Sequence, residues 1–382
     1  MRHHQYNPSF RFTVDPIEFD KYTDPEILRY VLGATMYMPG TKDFLDAILT
    51  RKYPGLTTMV MCFEDACPEE DVPAAEDNCI EILTALADKE RAGEIRYGDI
   101  PLIIFRVRDL AQFKRFSARL TPRLVRFITA FNFPKFNAGN GEEYFYHLKQ
   151  LNEQFREVIY GMPILEDRTI AFKESRMTEL MNVRRILMNY RDLVLNVRVG
   201  GTDFSSCFGV RRGMNYTIYD IMPVRDCLAD ILNVFTRDND FTVSGPVWEY
   251  FRVNKSLKFS ELPSHVDRSL FRHEPVINAE VDGLLRELLL DRANGFVGKT
   301  IIHPTHLPYV NGMLAVTREV YEDARQILST GGGVIKSRTG NKMNEIGPHK
   351  SWAQRILMRA RAYGVISSEA DYIRLFTGGQ EE

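Results

Sequence analysis

The sequence predicts an α/β chain folded as a (β/α)8 TIM barrel with an additional C-terminal helical segment, on three observations. Short apolar runs recur eight times along the 382 residues, each stopping near a Gly, a Pro or an acid. Between them lie stretches with helical spacing, the pattern of parallel strands joined by crossovers. The ends of the runs are also unusually polar, and in a barrel that rim is where reactive groups gather. A doubly wound sheet with two edge strands would produce similar text, but eight staves close most simply into a cylinder.

Residues 1–30 precede the first run and read as an N-terminal extension. The barrel is expected over 31–330, with strands at 34–39, 58–65, 102–108, 127–135, 157–166, 193–203, 241–248 and 297–304. Among the intervening helices, Met177, Leu180, Met181, Arg184 and Leu187 recur at 3.6-type spacing and predict a core-facing stripe. The polar stretch from 249 to 280, with Pro263 and Pro275, is too long for a simple connection and reads as an elaborated loop after the seventh strand. Gly331, Gly332 and Gly333 follow a helical stretch rather than a strand, with no Lys-Ser or Lys-Thr pair behind them, so they read as a helix end and hinge and not as a phosphate loop. Residues 331–382 then form a helical tail, a candidate to cross to a neighbouring subunit.

Composition narrows the function classes. A formal net charge of -2, with both signs interspersed, leaves no footprint for duplex nucleic acid or an anionic membrane. No run approaches the roughly 18 apolar residues of a membrane span, and the first residues lack a signal core. The five cysteines form neither a C-x-x-C pair nor a zinc spacing, which points to reduced, packed thiols in a cytoplasmic protein.

The run ends carry the chemistry. The second ends in Phe63-Glu64-Asp65, the third carries Arg106 and Arg108, the fourth ends in Pro134-Lys135, the fifth in Leu165-Glu166-Asp167, and the sixth in Gly201-Thr202-Asp203. An acid at such a place can simply cap the next helix, and an arginine can be an ordinary ion-pair partner. His303 lies in an apolar run beside Pro304 and reads as a hydrogen-bonded structural histidine, while nothing marks His265 or His273 as ligands.

Seven segments in order extend this reading: Tyr-Met-Pro-Gly at 37–40, Phe-Glu-Asp-Ala-Cys-Pro at 63–68, Phe-Arg-Val-Arg at 105–108, Phe-Pro-Lys-Phe at 133–136, Ile-Leu-Glu-Asp at 164–167, Gly-Gly-Thr-Asp-Phe at 200–204 and Gly-Phe-Val-Gly-Lys-Thr-Ile-Ile-His-Pro at 295–304. Together they resemble the citrate lyase beta subunit-like and HpcH/HpaI aldolases, in a divergent spelling similar to a branch associated with tellurite-resistance gene clusters. The resemblance implies a carbon–carbon bond lyase acting on a small 2-oxo or 2-hydroxy carboxylate or its coenzyme A-type thioester. It places Glu166 and Asp203 on the family's carboxylates for Mg2+ or Mn2+, and Arg106 on the arginine that grips the substrate. Magnesium prefers oxygen and keeps several waters, so two acids suffice. As a Lewis acid it steadies the enolate that develops as the bond breaks, and a guanidinium adds a two-pronged clamp. Glu64, Asp65 and Lys135 are expected beside the substrate.

Two departures matter. Gly33 and Ala34 stand where the family has an arginine-serine pair, which removes a polar contact and weakens the case for coenzyme A. In the tail, Lys342-Met343-Asn344-Glu345 replaces a Lys-Met-Ile-Asp context, so Glu345 would be the catalytic acid or base reaching a neighbouring site. The resemblance implies a homo-oligomer, a trimer or a multiple of it. Two alternatives keep the site and change its use: a thioester hydrolase, and a non-catalytic ligand-binding barrel.

Overall fold

The computed structural model describes residues 1–252, 266–273, 276–337, 340 and 342–377. Pro263, His265 and Pro275 of the long loop lie outside the described residues. Seven parallel strands form one curled sheet: β1 (Ala34–Pro39), β2 (Thr58–Cys62), β3 (Leu102–Arg106), β4 (Ile128–Phe133), β5 (Tyr160–Leu165), β6 (Arg198–Val199) and β7 (Lys299–Ile301), in the order β6-β5-β4-β3-β2-β1-β7. β2 to β5 are buried at every position, as strands must be when one face lines a barrel interior and the other lies under helices.

The seventh apolar run does not form a strand. It contributes isolated parallel bridges instead, Val197 to Val243 on one side and Gly245 to Lys299 on the other. Backbone hydrogen bonds hold it at both edges: Val197 N–H to Thr242 O at 2.9 Å, Ser244 N–H to Val197 O at 2.9 Å, and Gly245 N–H to Gly298 O at 3.0 Å. Pro246 has no N–H to continue a ladder, so the stave stops there, yet it closes the cylinder between β6 and β7. The expected barrel is therefore present, with a shortened eighth stave.

The helix Lys173–Asn189 turns a different face inward from the one the spacing suggested. Leu180, Val183, Ile186 and Leu187 are buried together with Arg176, whereas Met177 and Met181 are more than 40% exposed. Arg176 sets that rotation: its guanidinium donates to the carbonyls of Ile170 and Ala171, each at 2.8 Å, and pairs with Asp230 at 2.9 Å. A second interior cation plays a similar part. On the outer side of the barrel, Lys299 Nζ lies 2.8 Å from both Glu287 and Asp291 of the helix Ala279–Asn294, all fully or almost fully buried. The lysine of the Gly-Lys-Thr-Ile-Ile-His-Pro segment thus holds a helix to β7 and does not face the cavity.

The helix Arg318–Ser329 ends just before the three glycines, and a short antiparallel pair follows, Val334–Lys336 with Met343–Glu345. The helix Ile346–Tyr363 packs Ala353, Ile356 and Ala360 onto Ala324 and Ile327. Tyr363 donates its hydroxyl to Tyr30 O at 2.6 Å, and Val365 bridges to Val14, so both ends of the chain meet on the same flank of the barrel. All five cysteines are free thiols, four of them buried. Among the described residues no helix is long and apolar enough to cross a membrane.

Candidate functional site

The register of the parallel strands brings the run ends to one level. Cys62 of β2 pairs with Arg106 of β3, and Arg106 with Asn132 of β4. Arg106 is 7% exposed and touches three acids from two further loops: Glu64 Oε2 at 2.7 Å, Glu166 Oε1 at 2.9 Å and Asp65 Oδ2 at 3.1 Å. Lys135 closes the ring. Its backbone N–H donates to Glu166 Oε1 at 3.0 Å, its Nζ pairs with Glu64, and Asp65 and Asp203 lie at 3.7 and 3.9 Å. Lys135 sits at φ 45°, in the left-handed region, and that turn aims its N–H back at the carboxylate.

Glu166 and Asp203 do not cap helices. Asp167 takes the capping role for Arg168–Ala171, accepting from Thr169 N–H at 2.9 Å. Asp203 lies in the first turn of the helix Gly201–Cys207, whose N-cap is Gly200 and which has no side-chain cap. The two carboxylates instead flank the Cα of Gly200. A Cβ there would fall 2.4 Å from Glu166 Oε2 and 3.1 Å from Asp203 Oδ2, so only glycine lets the oxygens converge. Gly200→Ala is expected to lower stability by about 1–3 kcal/mol through overpacking. It should also remove any Mg2+-induced rise in melting temperature, read by differential scanning fluorimetry; an unchanged rise would show that the two oxygens do not meet at this point.

Electrostatics single out the same pair. Burial pushes the Glu166 carboxyl up to about 7, with Arg106 opposing and Asp203 reinforcing the rise. Burial also raises Asp203 and Glu64. At Asp65 burial works the other way from the net result: contact with Glu64 and the charges of Arg106 and Lys135 hold the carboxyl below its ordinary value. Four carboxylates, Glu64, Asp65, Glu166 and Asp203, gather here around the cations Arg106 and Lys135. Among the described residues no group of three or more His, Cys, Asp or Glu is arranged as a metal site. A two-carboxylate donor set suits a hard cation that retains most of its waters, and soft or imidazole-seeking ions are poorly served.

These groups border a cavity of about 440 Å3, lined also by Tyr37, Arg198, Val247, Thr300 and Ile302. Arg106, Asp65, Glu166 and Asp203 line it directly. Glu64 and Lys135, expected beside the substrate, do not line it; Glu64 pairs with Arg106 and with Lys135 Nζ. Arg108, by contrast, donates to the carbonyls of Phe63 and Cys67, both at 3.1 Å, and fixes the loop after β2. His303 stacks on Phe251, with ring centroids 4.0 Å apart, and does not line the cavity; His273 is exposed beside Arg286. Glu345 is exposed at the start of the helix Ile346–Tyr363 and does not line its own chain's cavity. Gly33 is at φ 52°, and a Cβ on it would fall 2.6 Å from Asn311 Oδ1, so no arginine fits where the resembling family has one.

A sequence pattern for C–C bond lyases of the TIM-barrel fold matches residues 26–365. The chain belongs to that family. This C–C bond lyase is therefore a carbon–carbon lyase enzyme. No curated protein matches it in sequence. Among solved structures, it is similar to protein CitE from Mycobacterium tuberculosis in complex with magnesium, acetoacetate and coenzyme A, with 16% identity and a TM-score of 0.52 over 87% of this chain and 99% of that one. It is also similar to the Haloferax volcanii malate synthase pyruvate/acetyl-CoA ternary complex, with 12% identity and a TM-score of 0.51 over 85% and 89% of the two chains. At such identities the likeness is one of fold.

Arg198, Tyr37 and Thr300 of the cavity lining were not singled out by the run ends. The signal for Arg198 lay inside a run: Leu193-Val194-Leu195-Asn196-Val197-Arg198-Val199 is apolar except for Asn196 and Arg198, and both side chains are buried.

Proposed function

We propose that this lyase makes or breaks a carbon–carbon bond next to the carboxylate of a 2-oxo or 2-hydroxy acid, or of its coenzyme A-type thioester, with Mg2+ or Mn2+ held by Glu166 and Asp203. The observation that carries this reading is the convergence of Glu166 Oε2 and Asp203 Oδ2 over Gly200, at the edge of the cavity. Bound there, the cation supplies Lewis acidity to the substrate oxygens and lowers the cost of the enolate charge that bond cleavage leaves. The chain's own residues do the rest. Arg106 fixes Glu166 and Glu64 and presents positive charge to the cavity wall, and the Lys135 N–H holds Glu166 Oε1 so that its other oxygen faces Asp203. Asp65 tethers Arg106 from the solvent side. The magnesium in the Mycobacterium tuberculosis structure agrees in kind with this assignment. Glu345 could join only from a neighbouring copy, which would need an oligomer, a trimer or a multiple of it, with tails crossing between subunits. A cytoplasmic location accords with the free thiols.

The test is the pH dependence of Mg2+ binding. A carboxyl whose folded value stands near 7 against an ordinary 4.5 favours the metal-free fold most below the lower value, and that contribution is lost as pH rises through the upper one. The cation needs the deprotonated form. The rise in melting temperature on adding Mg2+ should therefore be small at acidic pH and grow through neutrality. A rise that is equal at both ends, or absent throughout, would refute the assignment; panels of free acids and thioesters, with and without chelator, then identify the substrate class.

A further inference from the structure

Arg198 of β6 is 1% exposed and lines the cavity. Among the described residues its guanidinium donates to hydroxyls alone: Nη2 to Thr300 Oγ1 at 2.6 Å, and Nη1 to Ser244 Oγ at 3.3 Å and Thr35 Oγ1 at 3.5 Å. The Tyr37 ring covers it, 5.5 Å from its centroid, and among the described residues Nε has no hydrogen-bond partner. Among the described residues it makes no ion pair. The contrast with Arg106 is sharp, since Arg106 has three carboxylates against its two terminal nitrogens. A buried guanidinium held only by neutral groups carries an unmet desolvation cost, which a carboxylate in the cavity would relieve. Ser244 is itself held, donating to Asn196 Oδ1 at 2.7 Å and Val297 O at 3.0 Å, so the hydroxyl cradle is fixed before any ligand enters.

The cavity thus has two unlike poles. One is the acid pair at Glu166 and Asp203, and the other is the uncompensated cation at Arg198, with Tyr37 feeling the charges of both Arg198 and Arg106. We propose that Arg198 forms a second anion subsite, which binds a carboxylate at the far end of the substrate and selects short-chain dicarboxylic 2-oxo or 2-hydroxy acids over their monocarboxylic counterparts. This rests on the metal reading only for which end of the substrate faces Glu166.

Calorimetric titration of malate and lactate into the whole chain with Mg2+ tests it, because the two ligands share the 2-hydroxy acid end and only malate has a second carboxylate. The wild type should bind malate at least about 100-fold more tightly than lactate, the scale of a buried charge pair. Arg198→Gln should reduce that ratio to within about threefold while keeping the Mg2+-induced melting shift, and Arg198→Lys, which keeps the charge but loses the fork, should fall between. A folded Arg198→Gln chain with an undiminished malate preference would overturn the subsite. So would a wild type that binds lactate as tightly as malate, a result independent of whether any variant folds. Loss of the Mg2+ melting shift in the wild type would instead overturn the metal assignment, and the same titrations without metal would still show whether Arg198 discriminates.

Discussion

Glu166→Gln is expected to abolish metal-dependent turnover while leaving the fold intact. The substitution keeps the shape and the contacts of Oε1 with Arg106 and the Lys135 N–H, but it removes one of the two charges facing the space above Gly200. Loss of a single preorganised electrostatic contact costs about 100–1,000-fold in rate, and half of a cation's carboxylates should count for at least that much. The stability change has the opposite sign in the absence of metal. Burial holds the Glu166 carboxyl near 7, so at alkaline pH the native carboxylate is a liability that a neutral amide relieves. The variant should therefore melt slightly higher than wild type without Mg2+ at high pH, and should gain nothing when Mg2+ is added. Turnover retained to within about tenfold, with a preserved Mg2+ shift, would remove Glu166 from the site.

Arg106→Met should be the most destabilising change at the cavity. It deletes the cation shared by Glu64 and Glu166, both almost fully buried, and breaking a buried pair from one side costs about 3–5 kcal/mol. Asp65 adds little to that figure, since its side chain is about half exposed. Chemical denaturation of the metal-free chain measures the loss. Some of it should return in Mg2+, because a divalent ion supplies part of the missing charge. Loss below about 1 kcal/mol would mean that the acids are already neutral in the folded chain and that Arg106 is not what organises them.

Most of this architecture was legible in the sequence, for a physical reason. A strand buried on both faces must be apolar along its length and must stop where polar groups resume, so β2 to β5 and the polar residues at their ends were marked together. Glu64, Asp65, Arg106, Lys135, Glu166 and Asp203 all lie at such ends and all converge. Two kinds of feature escaped. The stave around Gly245 and Pro246 has the composition of a strand but cannot supply the amide to be one. Residues inside runs escaped as well: Arg198 and Asn196 point into a barrel whose interior is partly polar, and Arg176 rotates a helix that hydropathy alone would have turned toward Met177 and Met181. Tertiary hydrogen bonds decided each of these positions. Glu345 depended on a neighbouring copy from the outset, and a single chain leaves it on the surface.

Between β5 and β7 the backbone ladder thins to two paired positions and a few single bridges. Across that arc Arg198 reaches Thr35 on β1, Ser244 on the short stave and Thr300 on β7, so one side chain laces together strands that the main chain joins only sparsely. The stiffness of the cylinder wall and the chemistry of its far pole are therefore vested in the same guanidinium. A ligand that engages it is therefore expected to alter the contacts that hold the wall.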